Sequence, residues 1–138
     1  MLFALYCLAA CLLLFRRVPG QVPGWNLCPL KSIESYLRVL SRRDPSAPYF
    51  RYALVNLLGN LALLMPMGLF LPKLFSRQRC FGWFLFTSLL LGVGIECIQY
   101  VTAVGVLDVD DLFLNISGAV LGYWVWRVYQ VIRRKYQE

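Results

Sequence analysis

The side chains best suited to chemistry in this sequence are acids and amides that lie in or beside long apolar stretches. Histidine is absent, which removes the commonest general base and the commonest zinc ligand. Two carboxyl groups at one depth can divide into a protonated acid and an ionised base. The candidate catalytic residues are therefore Glu96, Asp108 and Asp111, and the candidate binding residues are Asn56, Asn60, Gln99, Asp110 and Asn115.

Six of these residues form pairs three or four positions apart, which places both members of a pair on one face of a helix. The pairs are Asn56 with Asn60, Glu96 with Gln99, and Asp111 with Asn115. A carboxylate inside a bilayer costs about 3 kcal/mol, so Glu96 needs amide partners at the same depth. Such groups mark functional sites in membrane proteins, although they can also simply fasten helices together.

Known nucleophile and metal motifs are missing from the chain. No GxSxG, HExxH or CxxC sequence occurs, and we interpret the five cysteines as packing residues. We therefore expect neither a metal nor a cofactor.

The composition indicates that these polar residues lie in a membrane protein. Of 138 residues, 59% are hydrophobic and only 15% are charged, whereas a soluble domain has about a quarter charged residues. The basic residues flank long uncharged runs instead of covering one polar face, so a nucleic-acid partner is excluded. Membrane lipids are the expected surroundings, and association into homo-oligomers stays open.

Four apolar runs predict an all-α integral membrane bundle of about four transmembrane helices in a single domain covering residues 1–138. The runs cover residues 1–15, 53–72, 81–101 and 112–131, and twenty helical residues reach about 30 Å, the thickness of a bilayer core. We interpret the first run as a retained span, because no cleavage motif follows it directly. Pro66 predicts a kink in the second run that frees a backbone carbonyl near Ala62.

The first connection, residues 16–52, carries a short amphipathic pattern. Ile33, Tyr36, Leu37 and Leu40 recur at helical spacing, which predicts a helix over residues 32–43 with Ser32 as its N-cap. This helix either lies flat on the membrane surface or covers the bundle.

Antiparallel threading of the last three runs brings the acids and amides to one side of the membrane. Three basic residues in loop 73–80 and four in the tail place both segments in the cytoplasm, whereas loop 102–111 has none. The first connection carries seven basic residues, which ties the totals, and we give the short loops more weight. Loop 102–111 is thus expected outside the cytoplasm.

Three stretches together resemble the VanZ-like family. They are Asn-Leu-Leu-Gly-Asn followed by Met-Pro-Met-Gly within residues 56–68, Ile-Glu-Cys-Ile-Gln at residues 95–99, and Leu-Asp-Val-Asp-Asp-Leu-Phe-Leu-Asn-Ile-Ser-Gly at residues 107–118. Residues 26–33 are similar to the segment that precedes the family's first conserved span. Some members have an Arg shortly before the Asp motif, whereas residues 102–107 contain no basic residue.

The resemblance implies a bacterial multi-pass membrane protein, and the family's namesake is associated with teicoplanin resistance. The leading hypothesis is a cell-envelope protein that limits glycopeptide-type or other lipophilic antibiotics through an outward-facing acid and amide cluster. A membrane-embedded hydrolase or transferase acting on a lipid-linked cell-wall precursor is the second hypothesis. A non-catalytic scaffold that docks through Gly118 and Gly122 is the third, and a proton-coupled carrier is the fourth.

Overall fold

The computed structural model describes residues 1–14 and 24–136, and these residues are mainly helical. The helices are α1 (Leu2–Leu14), α2 (Lys31–Ser41), α3 (Pro48–Leu63), α4 (Met65–Leu74), α5 (Phe81–Val101) and α6 (Val109–Lys135). A 3-10 turn, Ser76–Arg79, joins α4 to α5. Two short strands, β1 (Trp25–Asn26) and β2 (Leu107–Asp108), pair in parallel. The all-α prediction is confirmed, while residue 15, the predicted end of the first run, lies outside the described residues.

Helix α6 lies at the centre of the fold and packs against α3, α4 and α5. A Cβ atom added at Gly118 would stand 1.8 Å from the carbonyl oxygen of Leu61, and one at Gly122 would stand 2.0 Å from that of Met65. Only glycine permits such close backbone approach between helices. The chain's own α3 and α4 therefore occupy this glycine face, which removes the surface through which a scaffold was expected to dock.

The kink predicted at Pro66 is present as a break between α3 and α4 at Leu64. The Met67 amide donates to the Leu64 carbonyl at 3.1 Å, which leaves the Leu63 carbonyl without its usual helical donor. The Tyr6 hydroxyl of α1 donates to that carbonyl at 2.7 Å. Helix α1 is thus joined to the bundle at the point where the second run breaks.

Two stretches of the described residues are long and apolar enough to cross a membrane, Tyr49–Leu74 and Phe81–Val101. Outward-facing Val55 and Leu90 on them are 67% and 63% exposed, as expected of side chains that face lipid. Four transmembrane helices are not confirmed. The 13 residues of α1 extend about 20 Å, and polar and aromatic side chains reduce the hydropathy of α6.

The predicted amphipathic helix is confirmed as α2, two residues shorter at its C-terminal end and starting one residue earlier. It packs on α3, where the rings of Tyr36 and Tyr52 lie 6.1 Å apart. Ser32 does not cap it: the N-cap is Leu30, whose side chain offers no acceptor. The caps of this helix come from α6 and belong to the candidate site.

Candidate functional site

The site is built on the pairing of β1 with β2, which fastens the first connection to the start of α6. The Leu107 amide donates to the Gly24 carbonyl at 3.0 Å, and Asn26 pairs with Asp108 in register. The Asn26 amide also donates to the Asp108 carboxylate at 3.1 Å and to the Ser32 hydroxyl at 2.9 Å. These bonds bring two segments about 80 residues apart in sequence to one end of the bundle.

Asp108 serves mainly to hold this junction together. One of its carboxylate oxygens caps α6 by accepting from the Asp110 amide at 2.9 Å, and the other accepts from the Ser32 hydroxyl at 2.5 Å. An N-cap carboxylate satisfies an otherwise unpaired amide at the helix start. Since both oxygens are engaged, Asp108 positions its neighbours and is poorly placed to bind a ligand.

Asp110 is fully buried and caps the N-terminus of α2 from outside that helix. Its two oxygens accept from the amides of Leu30 at 2.6 Å, Ser32 at 2.7 Å and Ile33 at 3.2 Å. Leu30 has a φ of 67°, a left-handed conformation that costs a residue with a side chain about 1–2 kcal/mol. Asp110 therefore holds both the start of α2 and a strained backbone.

Glu96 reaches the same junction from α5. It is 5% exposed, and its Oε2 accepts from the Asp108 amide at 3.1 Å. The close approach of α5 to α6 depends on Gly92, where a Cβ atom would stand 2.6 Å from the Leu112 side chain. The third and fourth runs thus carry Glu96 and Asp108 into direct contact, as antiparallel threading predicts.

Asp111 and Asn115 each carry a buried polar atom that takes no part in the hydrogen bonds between the first connection and α6. They stand one turn apart on α6, and Oδ1 of each is buried with no hydrogen-bond partner among the described residues. The Asn60 amide of α3 interacts favourably with the ionised Asp111 carboxyl. A donor group that reached these two oxygens could form hydrogen bonds that the described residues leave unmade.

The electrostatics around Asp111 favour a proton on its carboxyl. Asp111 lies before the apolar run that begins at Leu112, and its pKa is raised to about 7, mainly by burial and also by the charges of Asp108 and Glu96. Burial and the nearby charges of Asp111 and Asp108 likewise raise the pKa of Tyr36 on α2. Because of its pKa, Asp111 can give up or accept a proton near neutral pH.

The remaining predicted residues occupy different positions. The Asn56 amide donates to the Tyr52 carbonyl at 2.8 Å on its own helix, so this bond joins it to no acid of the site. The backbone carbonyl of Gln99 on α5 accepts from the Val104 amide at 3.0 Å, and the Gln99 side chain lies beside Gly105. The structure therefore gathers Asn60, Glu96, Asp108, Asp110, Asp111 and Asn115 in one region.

Sequence analysis missed Asn26 and the role of the Ser32 hydroxyl. Asn26 lies in the first connection, where no periodic pattern signals that the chain folds back onto β2. The described residues hold no group of three or more His, Cys, Asp or Glu side chains arranged for a metal ion. The described residues form one ion pair, between Arg38 and Glu34 on the exposed side of α2. It lies away from the acids and amides gathered at the start of α6.

The sequence was compared with models of protein families and with known proteins. A family model described as VanZ/LLP1 matches residues 1–131. No curated protein and no solved structure matches the chain.

Proposed function

Because the chain belongs to the VanZ/LLP1 family, we propose that it lowers the effect of antibiotics at the bacterial cell membrane. The family is linked to antibiotic resistance, and two long apolar helices favour a membrane location. The antibiotics would be glycopeptides of the teicoplanin type or other lipophilic drugs. The working site would be the acid and amide cluster, which we define as Asn60, Glu96, Asp111 and Asn115.

One observation carries this proposal: two buried acceptor oxygens, on Asp111 and Asn115, have no hydrogen-bond partner among the described residues. A buried acceptor left without a donor costs about 1–3 kcal/mol, so a ligand that supplies donors gains that free energy on binding. The peptide amides and sugar hydroxyls of a glycopeptide, or of a lipid-linked cell-wall precursor, are donors of this kind. The distribution of basic residues favours a site that opens away from the cytoplasm.

The proposal is tested with the double variant Glu96→Gln, Asp111→Asn in a bacterial strain whose drug tolerance depends on this protein. We expect the inhibitory concentration of teicoplanin to fall to the level of the strain without the protein. The control is Glu34→Gln, Asp44→Asn, which removes two charges from exposed positions of the first connection and should leave tolerance intact. Unchanged tolerance in the first variant, at equal membrane abundance, contradicts the proposed site.

A second candidate function is a hydrolase or transferase acting on a lipid-linked envelope substrate. It is favoured by the free oxygen of Asp111 beside a second acid, Glu96. A raised pKa means that the Asp111 carboxyl is protonated at low pH and loses its proton as the pH rises through about 7. If Asp111 donates that proton, turnover of a labelled lipid-linked precursor by the purified protein should decline over this pH range, and Asp111→Asn should abolish it. Failure to detect conversion at any pH contradicts catalysis.

A further inference from the structure

A second polar site lies at the opposite end of α6 from the acids. The last turns of α6 and the 3-10 turn that follows α4 enclose a cleft of about 280 Å³. We call it the basic cleft. It is lined by Arg79, Trp126, Arg127, Gln130, Arg133 and Arg134.

The position of Arg79 in this cleft is fixed by the fold. Its Nε donates to the Pro72 carbonyl at 3.3 Å, and its own carbonyl accepts from the Tyr123 hydroxyl at 2.6 Å. Tyr123 is 2% exposed and belongs to the apolar core. One cation of the cleft is therefore held on both its side chain and its backbone, unlike an ordinary flexible surface arginine.

The charges of the basic cleft are not neutralised by the rest of the described chain. All described acids lie in the first connection or at the Asp108 end of the bundle, and none of the four arginines forms an ion pair with them. Trp126 adds a further donor: its indole N–H is buried and has no acceptor among the described residues. A cleft that offers several donors and no acid suits an anion.

We propose that the basic cleft binds a phosphate group, supplied either by a lipid headgroup or by phosphate free in solution. Arginine forks match the geometry of phosphate oxygens and make paired, charge-assisted hydrogen bonds with them. Val131, which also lines the cleft, is 65% exposed and offers apolar surface to an acyl chain attached to the phosphate.

Binding is measured on the purified full chain in a neutral detergent, by native mass spectrometry and by the shift in melting temperature. The probes are phosphatidylglycerol and a diacylglycerol with the same acyl chains but no phosphate. We expect phosphatidylglycerol to bind at least about tenfold more tightly, the effect of a single charge-assisted hydrogen bond. Equal binding of the two lipids overturns the proposal.

Competition with inorganic phosphate or with chloride, added at equal ionic strength, distinguishes a lipid headgroup from free phosphate as the source of the bound phosphate group. Displacement of phosphatidylglycerol by inorganic phosphate alone shows that the anion itself is recognised, whereas a lack of displacement assigns the site to a lipid headgroup. Both results support a phosphate site. Equal displacement by the two salts reflects general screening of charge and overturns it.

Variants separate this cleft from the general attraction of a basic protein to anionic lipid. Arg133→Gln, Arg134→Gln should weaken phosphatidylglycerol binding about tenfold. Arg42→Gln, Arg43→Gln removes the same charge from exposed positions in the first connection and should change binding less than about twofold. Equal losses in the two double variants overturn the proposal.

Trp126→Phe keeps an aromatic ring and removes the N–H, and it should weaken phosphatidylglycerol binding in a chain with unaltered arginines.

Discussion

At the scale of single residues, the four acids at the start of α6 and the end of α5 divide into two kinds. The carboxylate oxygens of Asp108 and Asp110 accept hydrogen bonds from amides and a hydroxyl of the chain itself. Glu96 does the same, because its Oε2 accepts from the Asp108 amide, whereas Oδ1 of Asp111 has no partner among the described residues. Asp108, Asp110 and Asp111 look equivalent in the sequence. They nevertheless have different roles, although they lie within four consecutive positions.

Asp110 offers the sharpest test of a positioning role. Asp110→Asn replaces one acceptor oxygen by a donor facing the amides of Leu30, Ser32 and Ile33, which leaves amides unpaired. We expect a loss of about 1–3 kcal/mol of stability and faster hydrogen exchange at those three amides. Asp44→Asn is the control, because Asp44 is exposed and its partners among the described residues, Ser46 and Ala47, belong to its own turn. Unchanged exchange at the start of α2 contradicts the capping role.

The meeting of Glu96 with the acids of α6 could be predicted from sequence because it requires only antiparallel helices of known length. Asn56 and Asn60 share a helix face of α3 as their spacing predicts, but the side-chain amide of Asn56 donates to the Tyr52 carbonyl of its own helix. Helical spacing fixes the direction of a side chain and leaves its choice of partner undetermined. Asn26 and Ser32 escaped prediction because their contacts with Asp108 span more than 70 residues.

At the scale of helices, two local signals had different outcomes. Pro66 predicted the break between α3 and α4, because a missing amide disrupts a helix whatever surrounds it. The glycines of α6 predicted a close contact without naming the partner, because a GxxxG step serves equally for contacts within a chain and between chains. The tertiary structure resolves this by placing Leu61 and Met65 against Gly118 and Gly122.

This packing predicts a contrast between glycines. Gly118→Ala and Gly122→Ala should reduce the yield of folded protein and lower its melting temperature in detergent, because the new methyl group would overlap a carbonyl oxygen. Gly59→Ala and Gly94→Ala are the controls, since no atom of the described residues lies within 4 Å of a Cβ atom at either position. They should be neutral or stabilise the helix by up to about 1 kcal/mol. Equal behaviour of the two sets contradicts the packing of α6 on α3 and α4.

At the scale of the whole molecule, α6 joins two ends of opposite electrostatic character. Its first turn holds Asp110 and Asp111, and its last turn holds Arg133, Arg134 and Lys135. This order suits the helix dipole, which favours acids at the N-terminus and bases at the C-terminus. It also places the proposed drug site and the basic cleft at opposite ends of α6.

The orientation of the two ends in the membrane is a prediction from the basic residues of the short loops, and labelling tests it. One variant retains Cys80, which is exposed in the basic turn before α5, with the other four cysteines changed to alanine. The second variant lacks all five and carries Thr102→Cys, at an exposed position after α5. A membrane-impermeant maleimide should label Thr102→Cys in intact cells and should reach Cys80 only after the membrane is opened. The basic residues near Cys80 favour retention in the cytoplasm, while residues 102–107 carry none. The reverse pattern would place the acid cluster on the cytoplasmic side and rule out direct access for a drug from outside.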